Sequence, residues 1–152
     1  MSQLFEYIDS LPELPEVLVK EIRDTVILNS NAFRFTDYKD YRIYPIRDIA
    51  LKRYLQSLFP EDYYFMVQVI GKNINIHKDI GRTSTFNYII DAGGDNVETC
   101  FYNNKKNLIE KHIIKEHRWH RLDVTAFHDV KNVKNKRIAL TVYKIAYTDN
   151  QF

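Results

Sequence analysis

The stretch Asn73-Ile-Asn-Ile-His-Lys-Asp79 decides the fold, because polar and apolar side chains alternate along it with the period of a β-strand. Ile74 and Ile76 share one face of such a strand, and the polar residues, among them His77 and Asp79, share the other. This pattern predicts a strand with its apolar face toward covering helices and its polar face toward a barrel interior. His77 and Asp79 would then point into one pocket and could bind one metal from the same side.

Strands are predicted along most of the chain after Pro60. Alternation and turn residues predict them over Tyr64–Ile70, Asn73–Asp79, Thr83–Asp91, Val97–Asn103, Arg121–Phe127 and Arg137–Tyr147. The breaks between them contain glycines or the polar turn Asn132–Lys136. Six strands at this spacing predict an antiparallel sandwich or barrel with helices packed against one face.

Two amphipathic helices are predicted before the strands, over about Leu14–Thr25 and about Ile46–Leu58. The residues expected to face inward are Leu14, Val17, Leu18 and Ile22 in the first helix and Ile49, Leu51, Leu55 and Leu58 in the second. The basic segment Lys105–His120 is less regular, and we expect a hairpin or an inserted loop there. The 152 residues predict a single domain, with a helical part over about 1–60 and a β core over about 63–147.

Composition excludes several classes of protein. Hydrophobic residues make up 45% and charged residues 28% of the chain, which is typical of a globular protein. The net charge of +2 is too balanced to predict a nucleic-acid partner. Cys100 is the only cysteine, and the sequence has neither a secretion signal nor an apolar stretch long enough for a membrane span. We therefore expect a cytoplasmic protein; if a phage encodes it, the compartment would be the cytoplasm of the host.

A metal site with two imidazoles and one carboxylate on one face needs a second histidine beside His77 and Asp79. His128 is the best candidate, because it ends one strand-like run and precedes another. Arg137 follows nine residues later and shares a strand face with Thr141. The planar guanidinium grips a carboxylate through two parallel hydrogen bonds, so Arg137 and Thr141 can converge on one anion.

Several short stretches together carry a family resemblance. They are Val67-Gln-Val-Ile-Gly71, Ile76-His-Lys-Asp79, Thr85-Phe-Asn-Tyr-Ile-Ile90, Cys100-Phe-Tyr102, Phe127-His-Asp-Val-Lys-Asn132 and Arg137-Ile-Ala-Leu-Thr-Val142. From about Val67 to Lys144 the chain resembles the core of Fe(II)/2-oxoglutarate-dependent oxygenases of the prolyl hydroxylase and phytanoyl-CoA hydroxylase kind. The resemblance implies a mainly β protein with N-terminal helices, built as a double-stranded β-helix, which is a jelly-roll, cupin-like architecture.

The same resemblance implies roles for individual residues. His77, Asp79 and His128 would bind iron, and Arg137 would pair with the distal carboxylate of 2-oxoglutarate. Three further inward residues are implied as contacts of the oxoacid or substrate: Gln68, Asn87 and Tyr102. The chain departs from many relatives at Ala139, where they carry serine or threonine; either Thr141 substitutes for that hydroxyl or the affinity for the oxoacid is altered.

The implied reaction is hydroxylation of a small-molecule or peptide substrate, with release of succinate and carbon dioxide and with ascorbate as a candidate reductant. Two alternatives stay open. The chain could be a non-catalytic jelly-roll binding module or a phage structural module, or it could be an oxidative demethylase that acts on nucleic acid. His112, His117 and His120, with Asp123 nearby, form a rival histidine cluster that could hold zinc.

Overall fold

Two antiparallel sheets face each other in the computed structural model, which describes residues 4–28 and 41–145. Within these residues the strands are β1 (Phe5–Tyr7), β2 (Tyr41–Pro45), β3 (Tyr64–Ile70), β4 (Ile74–His77), β5 (Arg82–Asp91), β6 (Glu98–Tyr102), β7 (Leu108–His112), β8 (Trp119–Leu122), β9 (Phe127–Lys131) and β10 (Arg137–Ile145). The helices are α1 (Glu16–Leu28) and α2 (Ile49–Leu58). The predicted mainly β fold with N-terminal helices is confirmed.

The order of the strands is that of a double-stranded β-helix. The six-stranded sheet runs β1-β8-β5-β10-β3-β2, and the four-stranded sheet runs β4-β9-β6-β7. From β3 onward, strands that follow one another in the chain therefore alternate between the sheets, except at the hairpin of β6 and β7, as in a jelly roll. The inner faces of the two sheets enclose the space in which the predicted site residues were expected.

Both helices cover the outer face of the six-stranded sheet. Helix α1 buries Leu18, Ile22 and Val26, which recur every four residues, against the same apolar core as the sheet residues Tyr88 and Leu140. Val17 was expected to face inward, but it precedes this buried stripe by one residue, about 100° around the helix, and is exposed.

Helix α2 begins at an N-cap in which the Asp48 carboxylate accepts a hydrogen bond of 2.7 Å from the backbone N–H of Leu51. Leu51 and Leu55 are buried against the sheet. Ile49, which was also expected inward, is exposed because it lies about 200° around the helix from Leu51.

Two predictions on the strands were wrong. The run Arg121–Phe127 is not one strand, because the side chain of Asp123 accepts a hydrogen bond from the backbone N–H of Thr125 and closes a turn between β8 and β9. The strict alternation expected over Asn73–Asp79 also fails. The pairing of β4 with β9 is irregular between Ile74 and His77, so that both of these residues line the interior while Asn75 is exposed.

The basic segment Lys105–His120 contains β7, which forms a hairpin with β6, and the start of β8. The hairpin is one of the two structures expected for this segment. Two strands were not predicted at all: β1, which pairs with β8, and β2, which pairs with β3. The last two residues of the predicted strand Arg137–Tyr147 lie outside the described residues.

Candidate active site

The structure brings together the three predicted metal ligands. Nε2 of His77 lies 3.3 Å and Nε2 of His128 lies 4.0 Å from Oδ1 of Asp79. The three potential ligand atoms all lie within 4.8 Å of one another, which is close enough for one ion to bind all of them. His77 and His128 are direct partners across β4 and β9, and their ring centroids are 4.3 Å apart.

The main chain fixes the orientation of both imidazoles. Nδ1 of His77 donates a hydrogen bond of 2.8 Å to the carbonyl of Asn75, and Nδ1 of His128 donates one of 2.8 Å to the carbonyl of Ala126. Because a carbonyl can only accept, the proton of each neutral ring lies on Nδ1 and the lone pair lies on Nε2. Both lone pairs are therefore available to a metal beside Asp79.

The charges of the triad favour an ionised carboxylate. Burial alone would raise the pKa of Asp79, but the hydrogen bond with His77, together with the charges of His128 and Arg82, outweighs burial and lowers it. Burial opposes protonation of His77, yet its hydrogen bonds to Asp79 and to the carbonyl of Asn75 raise its pKa overall. His128 is more deeply buried, and burial lowers its pKa despite the Ala126 carbonyl.

Two contacts outside the triad hold the carboxylate ligand in place. The backbone N–H of Asp79 donates to the carbonyl of Val124 over 2.9 Å. Oδ2 of Asp79, the oxygen turned away from His77, lies 3.9 Å from the guanidinium of Arg82. That guanidinium in turn lies over the ring of Tyr143, 4.0 Å from its centroid. These contacts favour metal binding through Oδ1 alone.

A cavity of about 410 Å³ between the two sheets connects this triad with Arg137. Arg137 begins β10 and is 6% exposed, and its guanidinium donates a weak hydrogen bond of 3.5 Å to the hydroxyl of Thr99. Among the described residues, no carboxylate lies within 4.0 Å of it. Burial lowers the pKa of Arg137 to about 10, so the group is still charged at neutral pH.

Four further residues were predicted to contact the oxoacid or the substrate, and three of them, Thr141, Asn87 and Gln68, line this cavity. Thr141 and Asn87 are partners across β10 and β5, and both are buried. Oδ1 of Asn87 and the hydroxyl of Thr85, which also lines the cavity, have no hydrogen-bond partner within the described residues. Gln68 lines the cavity too, and its amide donates a hydrogen bond of 2.9 Å to the hydroxyl of Tyr41.

The structure does not bring Tyr102 into the cavity. On β6 the side chains of Thr99 and Phe101 face inward, so Tyr102, as the next residue, faces the outside of the four-stranded sheet. There its hydroxyl donates a hydrogen bond of 2.8 Å to Asp129. A contact between Tyr102 and an oxoacid in the cavity is therefore not supported.

The rival histidine cluster is dispersed by the fold. His112 lies 3.0 Å from Glu110, His117 is exposed in a turn, and His120 is buried in the cavity. Within residues 4–28 and 41–145, the one group of histidine and acidic residues close enough to share a metal is the triad itself. Of the three histidines of that alternative zinc cluster, His120 alone lines the cavity, where it feels the charge of Arg137.

Sequence reasoning missed other residues of the cavity. Tyr41 lies in a strand that was not predicted, and Arg82 lies at the position where β5 begins. Thr99 faces inward on β6, which the alternation of that strand could have indicated. Nothing in the local sequence distinguishes Tyr41, because its place depends on the pairing of β2 with β3.

Comparison with solved structures agrees with this topology. A prolyl hydroxylase from Trichoplax adhaerens, solved in complex with a peptide fragment of the hypoxia inducible factor oxygen degradation domain, has a TM-score of 0.66 at 16% identity, over 95% of this chain and 84% of that one. A prolyl-4-hydroxylase from Pseudomonas putida has a TM-score of 0.68 at 13% identity, over 95% and 93%. The chain has the prolyl hydroxylase fold.

A third structure with this fold is an oxidoreductase of the 2OG-Fe(II) oxygenase family from Burkholderia pseudomallei. Its TM-score is 0.53 at 12% identity, over 86% of this chain and 81% of that one. The prolyl hydroxylase fold thus spans nearly the whole chain, including the N-terminal helices. No protein-family model and no curated protein sequence matches the chain. Neither described helix has the length and apolar character that a bilayer crossing requires.

Proposed function

We propose that this chain is an Fe(II)- and 2-oxoglutarate-dependent oxygenase that hydroxylates an organic substrate and releases succinate and carbon dioxide. One observation carries the proposal. A single cavity between the sheets contains both a cluster of two imidazoles and one carboxylate, at His77, Asp79 and His128, and a buried guanidinium at Arg137. The prolyl hydroxylase fold supports it, since that fold is used by enzymes of this class.

The donor set fits Fe(II). Two neutral imidazoles and one carboxylate that converge from one side leave the opposite coordination positions free, which is the arrangement of non-haem Fe(II) oxygenases. In the neutral tautomer that the backbone carbonyls select, both Nε2 atoms carry a lone pair, and a metal ion would displace any proton that Nε2 of His77 shares with the ionised Asp79. Arg82 lies beside the second carboxylate oxygen, so Asp79 would serve as a ligand through one oxygen.

The deep end of the cavity fits a dicarboxylic oxoacid. A buried cation with no described carboxylate nearby needs an anion, because an isolated charge is expensive to keep away from water. Arg137 can bind a carboxylate through two parallel hydrogen bonds from its planar guanidinium. Thr141, buried on the same face of β10, offers the hydroxyl that Ala139 lacks.

When both are bound, Fe(II) and 2-oxoglutarate supply oxidative chemistry, in which reduction of dioxygen is coupled to decarboxylation of the oxoacid and hydroxylation of the substrate. The protein contributes binding and orientation. Arg137 fixes the distal end of the oxoacid, and the two carbonyl-bonded imidazoles hold their rings in place. The apolar walls formed by Ile70, Ile89 and Val130 limit the access of water.

The substrate would enter at the triad end, where the cavity opens. Ile80 follows Asp79 directly, lines the cavity and is 96% exposed, so that it would meet a substrate at this entrance. Lys78 and Arg82 line the same opening and give it a positive charge. A peptide or a small organic molecule that carries both an apolar group and an anionic group would suit this entrance.

Anaerobic titration with Fe(II) and then 2-oxoglutarate tests the proposal. We expect one iron per chain and a weak visible band from charge transfer between the metal and the chelating oxoacid. His77→Ala should abolish both signals. His112→Ala is the matched control, because His112 also pairs with a carboxylate two residues away on a strand but lies outside the triad.

The alternatives give different results. A folded wild-type protein that binds no iron would be a non-catalytic jelly-roll module, and the proposal would fail. If iron binds but no band appears on addition of 2-oxoglutarate, the metal site is correct and binding of the oxoacid is excluded. Formation of succinate with peptides or amino acids, and not with oligonucleotides, would separate a hydroxylase from the nucleic-acid demethylase.

A further inference from the structure

A row of polar side chains crosses three neighbouring strands on the inner face of the six-stranded sheet. His120 on β8 is the direct partner of Asn87 on β5, and Asn87 is the direct partner of Thr141 on β10. All three line the cavity, and they are 1%, 9% and 1% exposed. Buried polar groups are normally hydrogen-bonded, and Oδ1 of Asn87 in the middle of this row has no partner within the described residues, so the row has capacity to bind a polar ligand.

His120 has no role in the function proposed above. Its single hydrogen bond among the described residues is from Nδ1 to the carbonyl of Arg118, at 3.5 Å, which is the outer limit of such a bond. So long a contact holds the ring proton on Nδ1 only weakly. The ring can therefore move its proton to Nε2 when an acceptor enters the cavity.

The surroundings of His120 keep its ring neutral. Burial, with a smaller contribution from the charge of Arg137, lowers the pKa of His120 to about 3. The groups that face the ring from the neighbouring strands are uncharged: Phe5 on β1, at a centroid distance of 5.8 Å, and Asn87 on β5. His120 is thus a neutral donor beside one fixed cation, Arg137.

We propose that His120 binds the distal carboxylate of the oxoacid together with Arg137, through Nε2–H, and thereby sets the length of oxoacid that the cavity accepts. This inference rests on the proposed function. A carboxylate offers about four acceptor positions, of which a bidentate guanidinium uses two. A neutral second donor fills another position without adding a second buried cation, so that one guanidinium balances one carboxylate. The bulk of the imidazole limits how far the oxoacid reaches beyond Arg137.

Calorimetry on the zinc-loaded protein tests the inference, because zinc fills the triad without redox chemistry. We expect His120→Leu to weaken 2-oxoglutarate binding at least tenfold while leaving zinc binding unchanged. His120→Gln, which restores a donor, should recover most of the affinity. His120→Ala should improve the binding of 2-oxoadipate, which is one methylene longer, relative to 2-oxoglutarate. His112→Leu is the control and should change none of these affinities.

Nitrogen-15 NMR of the histidine rings in the wild-type protein gives a second readout that does not depend on variants. Addition of 2-oxoglutarate should move the His120 proton from Nδ1 to Nε2 and leave the ring neutral. An unchanged ring signal in the complex, or equal affinity in His120→Leu, overturns the inference while the proposed function stands. Wild-type protein that binds zinc but not 2-oxoglutarate contradicts the proposed function itself.

Discussion

Replacement of Arg137 by methionine should make the ligand-free protein more stable while it removes oxoacid binding. Burial lowers the pKa of Arg137 to about 10, well below the ordinary value for arginine, and the group is nevertheless charged at pH 7. At about 1.4 kcal/mol per pKa unit, keeping this charge buried costs the folded state about 3 kcal/mol. Methionine has a similar length, carries no charge and sacrifices only the long hydrogen bond to Thr99.

The assay is urea denaturation at pH 7 of the wild type and Arg137→Met, each with and without Zn(II) and 2-oxoglutarate. Without ligands, the free energy of unfolding of the variant should exceed that of the wild type by about 1–3 kcal/mol, because packing losses offset part of the gain. With ligands, both proteins should gain what zinc supplies, and the wild type alone should gain a further ~2.7 kcal/mol when the oxoacid is present at a hundred times its dissociation constant. A ligand-free variant less stable than the wild type would refute the reasoning, since it would show that the guanidinium is already well compensated.

Two further predictions concern backbone and pH. Gly81 and Gly93 both have a φ of +81°, but a Cβ on Gly81 meets nothing within 4 Å, whereas one on Gly93 would lie 2.7 Å from the carbonyl oxygen of Asn135. Gly81→Ala should therefore lower the free energy of unfolding by about 1 kcal/mol from backbone strain alone, and Gly93→Ala should lower it clearly more. Chemical denaturation measures both values. Equal losses would contradict the close approach of Gly93 to the carbonyl oxygen of Asn135. Since the pKa of His120 falls from 6.5 to about 3 on folding, the unfolded chain binds the extra proton, and stability should decline as pH falls from about 6.5 toward 3, by up to about 1.4 kcal/mol per pH unit. That slope should flatten in His120→Leu but persist in the exposed control His117→Asn, and identical slopes in all three proteins would count against a neutral buried ring.

The fold could be predicted from the sequence where the patterns are local. Strand β3 occurs over the predicted range Tyr64–Ile70, and β10 begins at Arg137 as expected, because alternation and turn residues are properties of the segment itself. Strands β1 and β2 escaped prediction because each forms by pairing with a distant strand and has little pattern of its own. Phe5–Tyr7, for example, is only three residues long.

His77 was expected to face the interior, and it does, but the strict alternation used to predict this fails. Alternation along the strand would have put Asn75 inside with His77, but Asn75 is exposed and Ile74 lines the cavity. The irregular pairing with β9 turns the chain between Ile74 and His77. An irregularity of this kind depends on the partner strand, so the sequence of β4 alone cannot reveal it.

The two ends of the cavity also differ in how far the sequence could predict them. A short motif and a recognisable order along the chain indicated the triad and Arg137. Tyr102 was expected inside from its position in a matching stretch, but the alternation of β6 turns it outward. The alternative zinc cluster of His112, His117 and His120 does not form, because the turn that precedes β8 separates His117 from His120.

The carbonyl groups that orient the two imidazoles affect how the protein can evolve by substitution. Both partners, at Asn75 and Ala126, are main-chain atoms, so no substitution at those positions deletes the oxygen. The proposed oxoacid end would depend instead on the side chain of Arg137, and we expect the protein to gain stability when that side chain is lost. Where stability alone is selected, substitution should therefore erase the proposed cosubstrate binding first. Descendants of this fold that have lost their reaction would still bind metal long after they had ceased to be enzymes.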